Sequence, residues 1–115
     1  MKRPVRRLPC VRDLAAMPGL AFVRGRKTGR ISGAFVSDLP SSALARLEPG
    51  EVWITAWAAP AVLAVAARKK AAAVILTEGG AFGRDALSGT KTPVLYSAEG
   101  NFEVAGKIYA MLEHI

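Results

Sequence analysis

Short apolar runs alternate with polar or glycine-bearing gaps along the whole chain, and that rhythm predicts the elements. Val11 to Met17 reads as a short helix, with Asp13 near its start and Pro18-Gly19 ending it. Leu20 to Val23 reads as a short strand, and the turn Arg24-Gly-Arg-Lys-Thr-Gly-Arg30 carries the chain away from it. Ile31 to Val36 is the next strand. Ser37-Asp38 followed by Pro40 fits a helix start with proline in the first turn, and this helix runs to about Leu47. After Pro49-Gly50, the Val, Trp, Ile and Thr of Glu51 to Ala56 suit a pleated strand. Pro60 opens a helix through about Lys70 with a wide apolar face of Val62, Leu63, Val65 and Ala66. Ala72 to Leu76 is a continuous apolar run bounded by Gly79-Gly80, the pattern of a parallel strand buried on both faces. A weak helix or turn covers Arg84 to Ser88, Pro93 to Tyr96 is the last strand, and Gly100 or Asn101 opens a closing helix to about Glu113.

From residue 31 the order is β-α-β-α-β-α-β-α, which predicts an α/β fold: a mainly parallel sheet flanked by helices and joined by right-handed crossovers. With 115 residues, 51% of them hydrophobic, the chain suits one compact domain with its own core. The expected organisation is a basic arm over residues 1–8 and a single domain over 9–115. Cys10 is the only cysteine and His114 the only histidine, so no intrachain disulfide and no His/Cys metal cluster can form. No metal or cofactor is expected. The richest apolar stretch, Val52 to Ala67, is 16 residues long and holds Thr55 and Pro60, short of the roughly 20 a bilayer requires. The basic start lacks the apolar run of a signal peptide, so the expectation is a cytoplasmic protein without membrane contact.

Charge is placed unevenly. Residues 1–30 hold nine basic residues and one acid, Asp13, whereas the remaining 85 hold seven basic and eight acidic residues, so the overall +7 belongs to the entrance. Such an arm can attract nucleic acid through its phosphates, but no aromatic residue interleaves with residues 1–12 and no groove-reading motif follows. Nucleic-acid binding by residues 2–12 is therefore the weakest of three readings, below incidental arginine richness.

In open α/β sheets ligands collect outside the carboxyl ends of the strands. That rule selects Ser37-Asp38, Thr55-Ala-Trp57, Thr77-Glu-Gly-Gly80 and Ser97-Ala-Glu99, expected along one sheet edge. Each has a plain alternative. Asp38 reads as a ligand contact or general base, or, favoured by Pro40, as a helix cap. Ser41 and Ser42 read as phosphate contacts or first-turn caps. Thr77 to Gly80 could cradle an anion with free backbone N–H groups, although its spacing is not that of a Walker A loop. Gly25 and Gly29 lack the strand–turn–helix setting of a dinucleotide fingerprint. Trp57 reads as an interface or core-edge residue ahead of a base-stacking one, and Trp53 as core. No catalytic constellation is recognisable, since Glu78, Asp85 and Glu99 have no partner spacing.

Several segments together resemble a known family. Gly33-Ala-Phe-Val-Ser-Asp-Leu-Pro-Ser41, Pro49-Gly-Glu-Val-Trp-Ile-Thr55 with Pro60-Ala-Val-Leu-Ala-Val-Ala66, Ala73-Val-Ile-Leu-Thr77 with Gly79-Gly80, and Thr92-Pro-Val-Leu95 with Phe102-Glu-Val-Ala-Gly-Lys-Ile-Tyr109 follow in order. Over roughly residues 9–112 the chain resembles a stand-alone DRTGG domain. The resemblance implies an α/β domain, commonly dimeric, that is regulatory or accessory rather than catalytic. Related domains accompany nucleotide-sensing CBS modules in regulated pyrophosphatases and precede phosphotransacetylase catalytic domains, and a similar fold begins HPr kinase. Stand-alone versions occur beside iron-only hydrogenases and electron-transfer proteins. Members often carry a polar residue and then a histidine before the proline, where this chain has Trp57 and Ala59. The expected function is thus a homodimeric accessory domain that senses a small, nucleotide-like ligand or modulates a partner enzyme. Its ligand positions would be Ser37, Asp38, Thr55, Trp57, Thr77, Gly79 and Gly80. The alternative is a pure assembly module whose dimer patch uses Trp57, Pro60 and Leu63.

Overall fold

The computed structural model describes residues 8–113, so Lys2, Arg3, Arg6, Arg7 and His114 lie outside the described part of the chain. Ten elements follow in order: α1 (Val11–Ala15), β1 (Ala21–Arg24), β2 (Gly33–Val36), α2 (Pro40–Arg46), β3 (Glu51–Thr55), α3 (Pro60–Arg68), β4 (Ala73–Leu76), α4 (Arg84–Ser88), β5 (Val94–Tyr96) and α5 (Asn101–Glu113). The alternation expected from residue 31 is present throughout. Among the described residues no helix is long and apolar enough to cross a membrane.

The strands form one five-stranded sheet in the order β1-β5-β4-β3-β2. β2, β3, β4 and β5 are mutually parallel, and β1 closes the far edge antiparallel to β5. The molecule is therefore α/β in class. Because a strand's side chains alternate between faces, each strand feeds two separate cores. Val52, Ile54, Ala73, Ile75 and Leu95 meet α1 and α5 on one face, where Val11, Leu14, Val104 and Ile108 are fully buried. Trp53, Val74, Leu76 and Val94 meet α2, α3 and the α4 region on the other, with Leu47, Val62, Ala66 and Phe82. Equal-handed crossovers that add β3, β4 and β5 in sequence place α2, α3 and α4 on the same side. α5 leaves β5 toward the opposite side and packs across β2 and β3.

Element ends differ from the periodicity in two informative places. β2 begins at Gly33 rather than Ile31, because Ile31 N–H donates to Pro9 O and Ser32 N–H to Gly50 O before pairing with β3 starts. α3 stops at Arg68, where Ala71 N–H returns to Ala66 O and Lys70 N–H to Ala67 O. This closure is a Schellman motif, with Lys70 in the left-handed conformation (φ +57°) that helix ends usually give to glycine.

Candidate functional site at the carboxyl edge of the sheet

All four parallel strands end at one edge, and three of those ends are joined by side chains. Asp38, two residues beyond β2, offers Oδ1 to three donors: Ala56 N–H at 2.8 Å, Thr55 Oγ1 at 3.1 Å and Asn101 Nδ2 at 3.2 Å. Thr55 is the last residue of β3, and its Oγ1 also accepts from Trp57 N–H at 3.1 Å, which shapes the turn toward α3. Asn101, the first residue of α5, accepts on its Oδ1 from Thr77 Oγ1 just past β4, at 2.6 Å. The continuous path runs Trp57, Thr55, Asp38, Asn101, Thr77. Trp53, wholly buried, steadies its β2 end by donating from Nε1 to Ser37 O at 2.8 Å.

These contacts hold the Asp38 carboxyl below its ordinary pKa. The Ala56 N–H contributes most, burial opposes it, and the Asn101 and Thr55 side chains add to it. Asp38 is thus an ionised, solvent-facing carboxylate whose Oδ1 is saturated and whose Oδ2 meets no protein donor among the described residues. Such a group accepts hydrogen bonds from hydroxyl, amino or ammonium groups of an incoming molecule.

The residues selected from sequence divide into separate roles. Asp38 is not the helix cap favoured by its neighbourhood. Leu39 occupies the cap position of α2, and it is Ser37 Oγ that accepts from Leu39 N–H at 3.1 Å. Ser37, Asp38, Thr55, Trp57 and Thr77 do meet at one edge. Thr55 and Thr77 are 0% exposed, so they hold Asp38 and Asn101 in place and do not themselves face solvent.

Gly79 and Gly80 stand apart from that group, in a shallow depression of about 500 Å³ with Ser97, Ala98 and Gly19. The connections of β4 and β5 depart to opposite faces here, which is where open sheets usually part to admit a ligand. In this chain the gap is zipped shut. Glu78 N–H donates to Glu99 O at 2.8 Å, Gly79 N–H to Ser97 O at 2.9 Å and Gly80 N–H to Thr77 O at 3.3 Å. The expected anion cradle is therefore overturned, because its N–H groups already have partners. Glu78 and Gly79 both have positive φ, +61° and +73°, as the two central residues of a type I′ turn do.

The expected assembly patch also divides. Trp57 is 48% exposed and Pro60 is exposed, but Leu63 is only 4% exposed and packs into the α2–α3–α4 core. Leu63 leaves the patch for that reason: α3 turns it inward beside Val62 and Ala66. Exposed Val36, Leu39 and Leu44, from β2 and the α2 region, supply apolar surface of their own.

Asn101 is the site residue that sequence reasoning missed. Its one available signal was an amide at the mouth of the closing helix, which is also where an ordinary cap belongs. Among the described residues, no group of three or more His, Cys, Asp or Glu side chains is placed to hold a metal ion. Comparison with protein-family models, with curated proteins and with solved structures finds no match to this chain.

Proposed function

We propose that this chain is a non-catalytic accessory domain of the cytoplasm, similar in kind to the DRTGG domains it resembles, which senses a small ligand at the carboxyl edge of its sheet. The observation that carries this reading is Asp38, an ionised carboxylate with one oxygen locked by three donors and the other turned to solvent. A carboxylate in this part of an α/β sheet is suited to ribose hydroxyls, which nucleotide-binding folds also bind through an acidic side chain. A ligand docked there touches a network that spans β2, β3, β4 and α5, so binding in one conformation would bias the whole edge toward a partner enzyme. Among the described residues, no nucleophile with a positioned base accompanies Asp38, which supports the non-catalytic reading.

The test is an amide-resolved NMR titration of the full chain with adenosine as the ribose-bearing probe, alongside native mass spectrometry of the freshly purified protein. Saturable shifts at Ala56 and Trp57 that vanish in Asp38→Asn support the reading, as does a retained nucleotide-sized mass. Shifts that persist in Asp38→Asn, or the absence of both shifts and retained mass, overturn it.

Exposed Trp57 favours a second reading, assembly through a homodimer patch with Pro60. Native mass spectrometry separates the two readings. A bare dimer that dissociates in Trp57→Ser supports assembly, and a fully dimeric Trp57→Ser removes Trp57 from any such patch.

A further inference from the structure

The opposite edge of the sheet, where the parallel strands begin, gathers positive charge from three distant parts of the chain. Arg24, Arg26, Arg30, Lys70 and Lys91 line one cleft of about 710 Å³, together with Gly50, Ala71, Ala72 and Pro93. Among the described residues, no acidic residue lines it. Glu51, at the start of the neighbouring strand, is engaged elsewhere: its Oε1 accepts from Glu48 N–H at 2.7 Å and its Oε2 lies beside Gly33. Among the described residues the ion pair is Lys107 with Glu99, at the other edge, so none of the five cleft cations is neutralised by a salt bridge.

The cleft is built rather than left over. Gly25 has φ +108°, and a Cβ there would lie 2.6 Å from Pro93 Cα, so the basic turn rests directly on the approach to β5. On its other side the turn accepts Val11 N–H on Gly29 O and Arg12 N–H on Lys27 O, and Arg30 bridges to Cys10. A backbone held from both sides keeps Arg24, Arg26 and Arg30 at the cleft wall, while Lys27 is diverted over the Phe22 ring at 4.6 Å. Lys70 is the most telling member. It occupies a left-handed position where glycine would be the easier residue, and Lys70 O anchors Gly50 N–H at 3.0 Å in the cleft wall.

We propose that this cleft binds a compact phosphoanhydride polyanion, either free inorganic tripolyphosphate or the triphosphate chain of a nucleotide. Three guanidinium groups supply planar donor pairs for phosphate oxygens, and two ammonium groups supply point charge. All five cations line the same concavity, and among the described residues no aromatic side chain lines it to stack a base. The cleft therefore reads the phosphates and ignores the base. The site lies at the edge opposite Asp38 and does not depend on the function proposed for that edge.

Isothermal titration of the full chain with inorganic tripolyphosphate, and separately with ATP, tests this. The expected result is one saturable site per chain, with tripolyphosphate and ATP agreeing within about threefold and both weakening steeply with added salt. The variant Arg24→Gln/Arg26→Gln/Lys91→Gln alters exposed side chains only and is expected to lose about tenfold or more in affinity. Should the triple variant melt early, the single variants Arg26→Gln and Lys91→Gln keep the comparison in a folded protein. Amide shifts on adding tripolyphosphate are expected at Gly25, Gly29 and Gly50. ATP binding far tighter than tripolyphosphate overturns base-blind recognition. Unchanged affinity in the variants, absence of saturable binding at low salt, or a single-stranded oligonucleotide bound in preference to tripolyphosphate overturns the site as proposed.

Discussion

Thr77 Oγ1 donates a hydrogen bond to Asn101 Oδ1 across 2.6 Å, and through that amide the buried end of β4 fixes the orientation of Asp38. The direction of each bond is forced. An ionised Asp38 can only accept, so the NH₂ of Asn101 must face it; Oδ1 then faces Thr77, whose hydroxyl must donate. One carboxylate thus sets the polarity of a path linking β2, α5 and β4.

Breaking this path from either end should cost stability by a shared amount. Thr77→Val is expected to destabilise by about 1 kcal/mol, and Asn101→Ala by about 1–3 kcal/mol because it strands the buried Thr77 hydroxyl. In a double-mutant cycle read by urea denaturation, the two should couple by at least about 0.5 kcal/mol. Strict additivity would mean that the pair does not communicate.

The depressed pKa of Asp38 has a defined acid signature. Its folded value lies below the ordinary 3.8, so its contribution to stability is fully present above that value and is lost as pH falls through the folded pKa. An NMR carboxyl titration should place Asp38 below 3.8, and in Asp38→Asn the part of the acid destabilisation below pH 3.8 that belongs to this group should be missing.

Lys70→Gly should make the protein more stable and a poorer anion binder. Relief of the left-handed lysine is expected to raise stability by about 1 kcal/mol. The same change removes one of five cleft cations, so tripolyphosphate affinity should fall. Melting and titration of the same sample check both signs.

Leu63 and Trp57, six residues apart in sequence, should respond oppositely to truncation. Leu63→Ala is expected to cost about 2–5 kcal/mol in chemical denaturation, since it empties a closed core position. Trp57→Ser should change monomer stability by about 0.5 kcal/mol or less, as exposed positions do, so any larger effect on its mass-spectrometric behaviour reports assembly.

The element pattern was legible because the apolar runs are short and cleanly punctuated: Pro40 and Pro60 open α2 and α3, and Gly79-Gly80 ends the strand before them. The same loop rule found Asp38, Thr55 and Thr77. It could not find the role each plays, because burial of a threonine hydroxyl depends on α5 lying over the strand ends, and that helix starts more than 20 residues after Thr77. The zipped Glu78–Glu99 gap was equally hidden, since free and paired backbone N–H groups look alike in sequence. The basic turn was visible as charge alone. Lys70 and Lys91 join it only once parallel pairing has brought the starts of β4 and β5 side by side.

The path of α5 has a consequence for biosynthesis. Val104 and Ile108 cover the face of β3 and β4 that carries Val52, Ile54, Ala73 and Ile75, strands made some 30 to 55 residues earlier. While the ribosome is still translating toward residue 108, that face has no lid, and its β-branched surface is open to other nascent chains or to a holdase. Folding of this domain therefore cannot finish before α5 has been made, and codons or chaperones that act while α5 is being translated should govern its yield.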